Sequence, residues 1–82
     1  MSGEETWRFA ARCVGAQVKA IRIERGLRQC DLADAVGTAR STVSRLEAGR
    51  HCPTLVTVFE YAVALKCLPS DLVAGMDWED GE

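Results

Sequence analysis

The stretch RGLRQCDLADAVGTARSTVSRLEAGRHCPTL, residues 25–55, decides how this chain folds. Within it, residues 29–36 and residues 40–48 each carry apolar side chains at the spacing of a helix, and residues 37–39 separate them. Helices this short are marginal on their own, so both segments need tertiary packing to form. Two short helices joined by a tight turn that contains glycine are the sequence form of a helix-turn-helix.

The second of these segments has two faces of opposite character. Val43 and Leu46 lie three positions apart and form an apolar edge that is expected to pack against the core. The other positions carry short hydroxyls and long cations, with no acidic residue before Glu47. They are Arg40, Ser41, Ser44 and Arg45, with Thr42 beside them. This composition is suited to reading base edges and contacting phosphates in the major groove of DNA.

Helix signals continue on both sides of this motif and predict an all-α fold of five helices. Before it, residues 5–25 form a long first helix, with Ser2 and Glu5 at the spacing of a capping box. After it, Thr54 is the predicted N-cap of a fourth helix, and Pro69 starts a short fifth helix. The predicted buried stripe of the fourth helix is Leu55, Val58, Phe59, Ala62 and Leu65.

Length and charge fit one small globular domain. The chain has 82 residues, of which 48% are hydrophobic and 27% charged. Residues 1–76 are predicted to form a single DNA-binding domain, and residues 77–82 an acidic tail. The formal net charge of -2 speaks against nucleic-acid binding when it is taken alone.

The charge is unevenly distributed along the chain. Residues 1–52 hold nine basic and six acidic residues, whereas residues 53–82 hold one basic and six acidic residues. The sequence therefore predicts a basic face on the first three helices. It also predicts that the acidic part of the chain faces away from DNA.

Membrane insertion, catalysis and metal binding are not expected. No apolar run reaches the length of a membrane-spanning helix. The first residues carry acids where a signal peptide needs basic residues, which favours a cytoplasmic protein. Cys13, Cys30, Cys52 and Cys67 follow no zinc-binding spacing, so reduced thiols are expected, with redox sensing and metal binding as open alternatives. His51 is accompanied by no nucleophile or carboxylate pattern, so we expect no enzyme, no cofactor and no metal.

Residues 14–76 resemble the lambda repressor and Cro-like helix-turn-helix family, the xenobiotic-response-element class of bacterial, phage and plasmid transcriptional regulators. The matching positions lie at fixed spacing and are Arg22, Gly26-Leu27, Gln29, Leu32-Ala33, Val36-Gly37, Ser41-Thr42-Val43-Ser44, Leu46-Glu47, Gly49 and Pro53. The resemblance implies a compact five-helix DNA-binding domain whose third helix, residues 40–48, is the recognition helix.

The resemblance also implies roles for individual residues. By position, the base-contacting places are taken by Arg40, Ser41, Ser44 and Arg45. Gln29 matches a glutamine that contacts phosphate and braces the start of the third helix, and Arg22 and Glu47 match an internal ion pair. The residues that flank the reading face, and are predicted to contact phosphates as well, are Arg28, Thr42, Arg50 and His51.

Four positions depart from the family pattern, and all of them lie at helix ends. Arg28 and Ala39 stand near the starts of the second and third helices, where the family commonly has Ser or Thr. Lys66 stands where a helix-ending glycine is usual, and Leu68 where a serine cap is usual. The turn into the fifth helix is therefore the least strongly specified part of the predicted fold.

The resulting prediction is a sequence-specific transcriptional regulator that acts as a repressor. It binds double-stranded DNA at a palindromic operator as a homodimer, for which Trp7, Phe9, Met76 and Trp78 are the candidate dimer contacts. Two alternatives stay open. One is an antitoxin-type regulator that also captures a toxin, and the other is a restriction–modification controller that also contacts RNA polymerase.

Overall fold

Four α-helices and a short 3₁₀ helix make up residues 2–74, the part of the chain that this computed structural model describes. The elements are α1 (Gly3–Glu24), α2 (Gln29–Val36), α3 (Arg40–Glu47), α4 (Leu55–Leu65) and the 3₁₀ helix Pro69–Leu72. Residues 2–74 contain no strand, so the all-α prediction is confirmed for them. The count of five α-helices is not confirmed, because the described part of the predicted fifth helix forms only the 3₁₀ helix.

Local signals in the sequence set where α1 and α4 begin. Ser2 Oγ accepts a hydrogen bond from the backbone N of Glu5 at 3.2 Å, and Glu5 Oε1 accepts one from the backbone N of Ser2 at 2.8 Å. The predicted capping box is thus confirmed. Thr54 Oγ1 accepts from the backbone N of Thr57 at 3.2 Å, which confirms the predicted N-cap of α4.

The end of α4 is held without the usual glycine. Lys66 adopts the left-handed conformation itself, with a φ of 58°. Arg25 Nε donates a hydrogen bond to the carbonyl oxygen of Leu65 at 3.0 Å and so ties this end to α1. Leu68 precedes the 3₁₀ helix and offers no side-chain cap, but its backbone N donates a hydrogen bond to Asp71 Oδ2 at 3.0 Å.

The core is formed by one apolar cluster to which all five elements contribute. Its buried members are Val14, Val18, Leu32, Ala33, Val43, Leu46, Val58, Tyr61, Ala62, Leu65 and Leu72. The predicted stripe of α4 is wrong at two positions, because Leu55 is 73% exposed and Phe59 is 51% exposed. Tyr61, 2% exposed, packs in the core instead. The buried arc of α4 therefore runs through Val58, Tyr61, Ala62 and Leu65, which is the i, i+3, i+4, i+7 pattern of one helix face.

The backbones of α1 and α3 approach closely at Gly15. A Cβ atom added at Gly15 would collide with the carbonyl oxygen of Leu46 and would lie 3.1 Å from that of Glu47. Since only glycine lacks this atom, Gly15 lets the middle of α1 lie directly against the last turn of α3. The orientation of α3 relative to the core depends on this contact.

The described residues also bear on membrane insertion, cysteine pairing and metal binding. None of them is both long and apolar enough to cross a bilayer. The four cysteines are free and partly buried. Within residues 2–74, no group of three or more His, Cys, Asp or Glu side chains is placed to hold a metal ion.

Gly15→Ala should destabilise the domain, because the added methyl forces α1 away from the α3 backbone. We expect a loss of about 1–3 kcal/mol in the free energy of unfolding, measured by urea titration followed by circular dichroism. Gly3→Ala is the matched control, since nothing lies within 4 Å of a Cβ atom added there. The control should be unchanged or slightly more stable, and equal effects of the two substitutions would contradict the close approach at Gly15.

Candidate nucleic-acid interface

The turn between α2 and α3 is formed by residues 37–39 and begins at a glycine. Gly37 ends α2 in the left-handed conformation, with a φ of 87°. The backbone N atoms of Gly37 and Thr38 both donate to the carbonyl oxygen of Ala33, at 2.8 and 2.9 Å. Ala39 then precedes α3 in an extended conformation and caps it with no side-chain hydrogen bond. The positive N-terminal end of α3 therefore has no side-chain cap of its own.

The rotation of α3 about its axis is fixed by its apolar edge. Val43 and Leu46 are both 0% exposed, as their spacing predicts. Ser41 and Arg45, one helical turn apart, are exposed on the opposite side. The only acid of this helix is Glu47, and its side chain is 3% exposed, so it lies inside the domain and leaves the outer face without negative charge.

The four predicted base-contacting residues share the solvent side of α3. Arg40, Ser41 and Arg45 are exposed, and Ser44 is partly buried. Their helical positions divide them, with Ser41 and Arg45 pointing straight out and Arg40 and Ser44 lying toward one flank. These four side chains together form a polar ridge along α3. The ridge has the width and the polarity that a DNA major groove accepts.

One flank of this ridge is organised around Gln29, the first residue of α2. Its Nε2 donates to Glu47 Oε1 at 3.1 Å, and its Oε1 accepts from Arg40 Nη1 at 3.4 Å. The Gln29 side chain thus contacts both ends of α3.

Arg28 lies next to Gln29 and is paired within its own helix end. Its guanidinium binds the Asp31 carboxylate through two contacts of 3.1 Å, and its backbone N donates to Asp31 Oδ2 at 2.9 Å. These hydrogen bonds lower the pKa of Asp31, and the largest contribution comes from the Arg28 side chain. Asp31 thereby satisfies the backbone N of the N-cap residue Arg28, while the first turn of α2 has no side-chain cap of the kind that Ser or Thr would provide. A phosphate would have to compete with Asp31 for Arg28.

The other flank of the ridge is a cleft of about 290 Å³ beside the start of α4. Thr42 and His51, two of the predicted phosphate contacts, line it together with the hydroxyl residues Thr38 and Thr57. Glu60 lines the same cleft. The expectation that all acids of the C-terminal part face away from the reading surface is therefore wrong for Glu60, which α4 carries back toward α3.

Two further basic residues lie at the loop that follows α3. Arg50 is exposed, and its backbone N donates to the carbonyl oxygen of Arg45 at 2.9 Å, which fixes the start of the loop after α3. Arg12 of α1 was not predicted as a site residue. A Cβ atom added at Gly49 would lie 2.9 Å from Cγ of Arg12, so the Arg12 stem packs beside the residue that precedes Arg50. The 37 positions that separate these residues in sequence leave no local signal of this contact.

An ion pair between Arg22 and Glu47 connects α1 to the last turn of α3. Arg22 Nε donates to Glu47 Oε2 at 2.6 Å and Nη2 donates to Oε1 at 3.0 Å, so the contact is bidentate. The two side chains are 11% and 3% exposed. The hydrogen bonds that Arg22 donates to Glu47 raise the pKa of Arg22, and Arg22 Nη1 also donates to the carbonyl oxygen of Leu27 at 2.8 Å.

Two of the four predicted dimer contacts, Trp7 and Phe9, belong to the described residues. Trp7 is 46% exposed and Phe9 is partly buried, both near the start of α1. Met76 and Trp78 lie outside the described residues.

Comparison with known proteins agrees with the helix-turn-helix geometry. The HTH_3 family profile, described as Helix-turn-helix, matches residues 18–72. The chain is 35% identical over 66 residues to the uncharacterized HTH-type transcriptional regulator y4dJ of Sinorhizobium fredii, a match that covers 80% of this chain and 86% of that protein. It is 40% identical over 60 residues to the immunity repressor protein of Bacillus phage phi105, covering 73% of this chain but only 42% of the repressor.

Solved structures share the same fold. The restriction-modification controller protein C.AhdI from Aeromonas hydrophila is similar with a TM-score of 0.73 and 32% identity, covering 76% of this chain and 94% of the controller. An HTH_3 family transcriptional regulator from Vibrio cholerae is similar with a TM-score of 0.79 and 24% identity, covering 85% of this chain and 39% of that chain. Because the identity to the Vibrio cholerae regulator is only 24%, this similarity shows the fold alone.

Glu47→Ala should be strongly destabilising, because it leaves Arg22 with an uncompensated charge in a largely buried site. We expect the free energy of unfolding to fall by about 3–5 kcal/mol in urea titration, with Glu47→Gln between this variant and the wild type. Glu4→Ala is the control, since the Glu4–Arg8 pair is 74% and 63% exposed and should change stability by less than about 1 kcal/mol. Similar losses from Glu47→Ala and Glu4→Ala would show that burial of the pair is irrelevant to stability.

Proposed function

The chain belongs to the HTH_3 family of helix-turn-helix transcriptional regulators, and from this premise we propose that it represses transcription by binding a palindromic DNA operator as a homodimer. The observation that carries the proposal is the acid-free outer face of α3, held in place by buried Val43 and Leu46. An α-helix with such a face fits the major groove and can present its side chains to base edges.

The arginines and the serines of this face are proposed to contact different base edges. A guanidinium can bind O6 and N7 of guanine in a bidentate contact, so Arg40 and Arg45 are proposed to select guanines. Ser41 and Ser44, whose hydroxyls both donate and accept, are proposed to contact the neighbouring base edges. Arg40 is restrained before DNA binds by the hydrogen bond of 3.4 Å that its Nη1 donates to Gln29 Oε1.

The two flanks of α3 are proposed to bind the two phosphate backbones that border the groove. Arg28 and Gln29 lie on one flank, and Thr42, Arg50 and His51 lie on the other. Such contacts position the protein but carry no sequence information. Glu60 in the cleft beside Thr42 and His51 opposes a phosphate there, so this flank is expected to bind more weakly than its basic residues alone would suggest.

A dimer is proposed because one recognition helix contacts too few base pairs to specify an operator by itself. A single recognition helix contacts a few base pairs, and a twofold dimer on a palindrome doubles that number, with half-sites about 34 Å apart or a multiple of that distance. Repression by covering a promoter requires nothing beyond this binding. The relative named as an immunity repressor supports repression as the outcome.

A second candidate is a controller that also engages a partner protein such as RNA polymerase. It is favoured by the similarity to a restriction-modification controller protein, of which the match covers 94%. Co-purification of the chain with polymerase or with the product of a neighbouring gene, including a toxin, would distinguish this candidate from a repressor that acts alone. For either function, the proposed place of action is the bacterial cytoplasm, where the DNA target lies.

Arg45→Ala and Arg40→Ala should each weaken specific binding by about 1–3 kcal/mol and relax the base preference at one operator position. The operator is first obtained by selecting bound sites from random DNA, and affinities for it and for a scrambled duplex are then measured by fluorescence anisotropy. Lys66→Gly is the control, because it removes one positive charge at the far end of α4 from a residue whose φ of 58° suits glycine. If both arginine variants kept the wild-type ratio of specific to random binding, the base-reading assignment would be wrong.

Arg50→Ala should weaken binding to specific and random DNA alike and reduce the slope of log affinity against log salt concentration by about one. Arg28→Ala should have a smaller effect on that slope, because Asp31 already neutralises the guanidinium. The measurement is the same anisotropy titration repeated over a series of salt concentrations. A wild-type affinity that does not change with salt would rule out the phosphate contacts on both flanks.

A further inference from the structure

Helix α4 exposes an apolar face that nothing in residues 2–74 covers. Leu55, Val56, Phe59 and Val63 are 73%, 68%, 51% and 78% exposed. At 100° per residue these four side chains occupy one continuous arc of the helix surface. This arc, Leu55, Val56, Phe59 and Val63, is called the outer face of α4 below.

The outer face lies beside the buried arc of the same helix. Val58, Tyr61, Ala62 and Leu65 pack in the core, so apolar residues cover more than half of the circumference of α4. Glu60 is the only charged residue among the helix's residues, and it lies beyond the edge of the outer face. An apolar surface this wide is more than one side of packing needs and is typical of a helix that is buried on a second side as well.

We propose that the outer face of α4 is the contact through which two copies of this chain form the dimer. The inference rests on the proposed function, because it names the surface that joins the two subunits of the operator-binding protein.

The arrangement of the four side chains is self-complementary. Phe59 stands one turn after Leu55 and one turn before Val63, at the centre of the face. Two α4 helices that pair antiparallel about a twofold axis at Phe59 place Leu55 and Val56 of one copy against Val63 of the other. The phenylalanine rings then meet at the axis, where an interface gains most from a buried aromatic side chain.

The size and the charge of the face also fit a second copy. Four such side chains present on the order of 400 Å² of apolar surface, about half of the roughly 800 Å² that each partner contributes to a standard interface. An apolar centre of this size with a polar rim is the usual anatomy of a stable interface. Because the face itself carries no charge, a second copy meets it without like-charge repulsion.

The position of α4 in the chain makes this surface compatible with DNA reading. Only the loop of residues 48–54 separates α3 from α4. Thr42 of α3 lines one cleft together with Thr57 and Glu60 of α4, so a dimer axis at α4 lies on an element next to the recognition helix, whereas Trp7 and Phe9 lie on α1. A dimer formed through Trp7 of α1 and a dimer formed through the outer face of α4 would therefore use different surfaces, and substitutions can distinguish them.

The test measures self-association of the full chain without DNA by sedimentation equilibrium. The wild type should be a dimer at micromolar concentration, and Phe59→Glu and Val63→Glu should each raise the dimer dissociation constant by about 30-fold or more. Both variants alter exposed side chains, so circular dichroism and thermal unfolding should remain those of a folded domain. Trp7→Ala is the matched control, because it removes an exposed aromatic side chain from α1 and should leave the dimer intact.

A charge-pair experiment tests the symmetry directly. Phe59→Lys and Phe59→Glu should each be monomeric, and an equimolar mixture of the two should associate again because the opposite charges meet at the axis. A monomeric wild type, dimers of unchanged strength in Phe59→Glu and Val63→Glu, or loss of the dimer in Trp7→Ala would each overturn the proposal. A wild-type chain that dimerises through α4 but selects no DNA site would instead refute the proposed function and leave this interface standing.

Discussion

The Glu47 carboxylate is the point at which three helices of this domain meet. It accepts two hydrogen bonds from Arg22 of α1 and one from Gln29 of α2, and it belongs to the last turn of α3. A carboxylate this deeply placed is tolerated because its oxygens are paired with a cation and an amide. The same arrangement removes the only acid of α3 from its outer face. The buried Glu47 thus links three helices and leaves the outer face of α3 without negative charge.

The contacts around Glu47 also restrain Arg40, one of the side chains proposed to read the bases. Gln29 uses its amide nitrogen on Glu47 and its amide oxygen on Arg40, so Arg40 is linked to the buried ion pair through one residue. A side chain that is already held loses less conformational entropy when it binds. Ser41 and Arg45 have no such link to the ion pair and remain free to adjust to the bases, so the reading face combines a restrained position with adaptable ones.

The parts of the fold that local rules govern could be predicted from the sequence. The capping box at Ser2, the N-cap at Thr54 and the left-handed turn at Gly37 each depend on residues within a few positions of one another. The rotation of α3 could also be predicted, because Val43 and Leu46 stand among polar neighbours and leave a single apolar edge. Because this edge packs into the core, the opposite side of α3, its outer face, had to be exposed.

The remaining features depend on contacts between segments that are distant in sequence. On α4 the apolar residues surround most of the helix, so the pattern could not tell that Leu55 and Phe59 are exposed while Tyr61 is buried. The Gly15 crossing and the Arg12 contact with Gly49 arise only when α1 packs against α3 and the loop that follows it. Glu60 likewise lies in the cleft beside Thr42 only because of where α4 packs, which the residues next to Glu60 in sequence do not reveal.

The two proposed surfaces, the outer face of α4 and the reading face of α3, would make DNA occupancy depend on self-association. If α4 joins the subunits, operator DNA binds the dimer better than the monomer, and by linkage DNA must favour dimer formation by the same factor. Below the dimer dissociation constant, the concentration of dimer rises with the square of the chain concentration, and operator occupancy rises equally steeply. A small apolar face is suited to this role because a modest interface leaves monomer and dimer in exchange. The exposed apolar residues of α4 would then set the concentration at which the regulator acts, while the polar residues of α3 set the DNA sequence that it recognises.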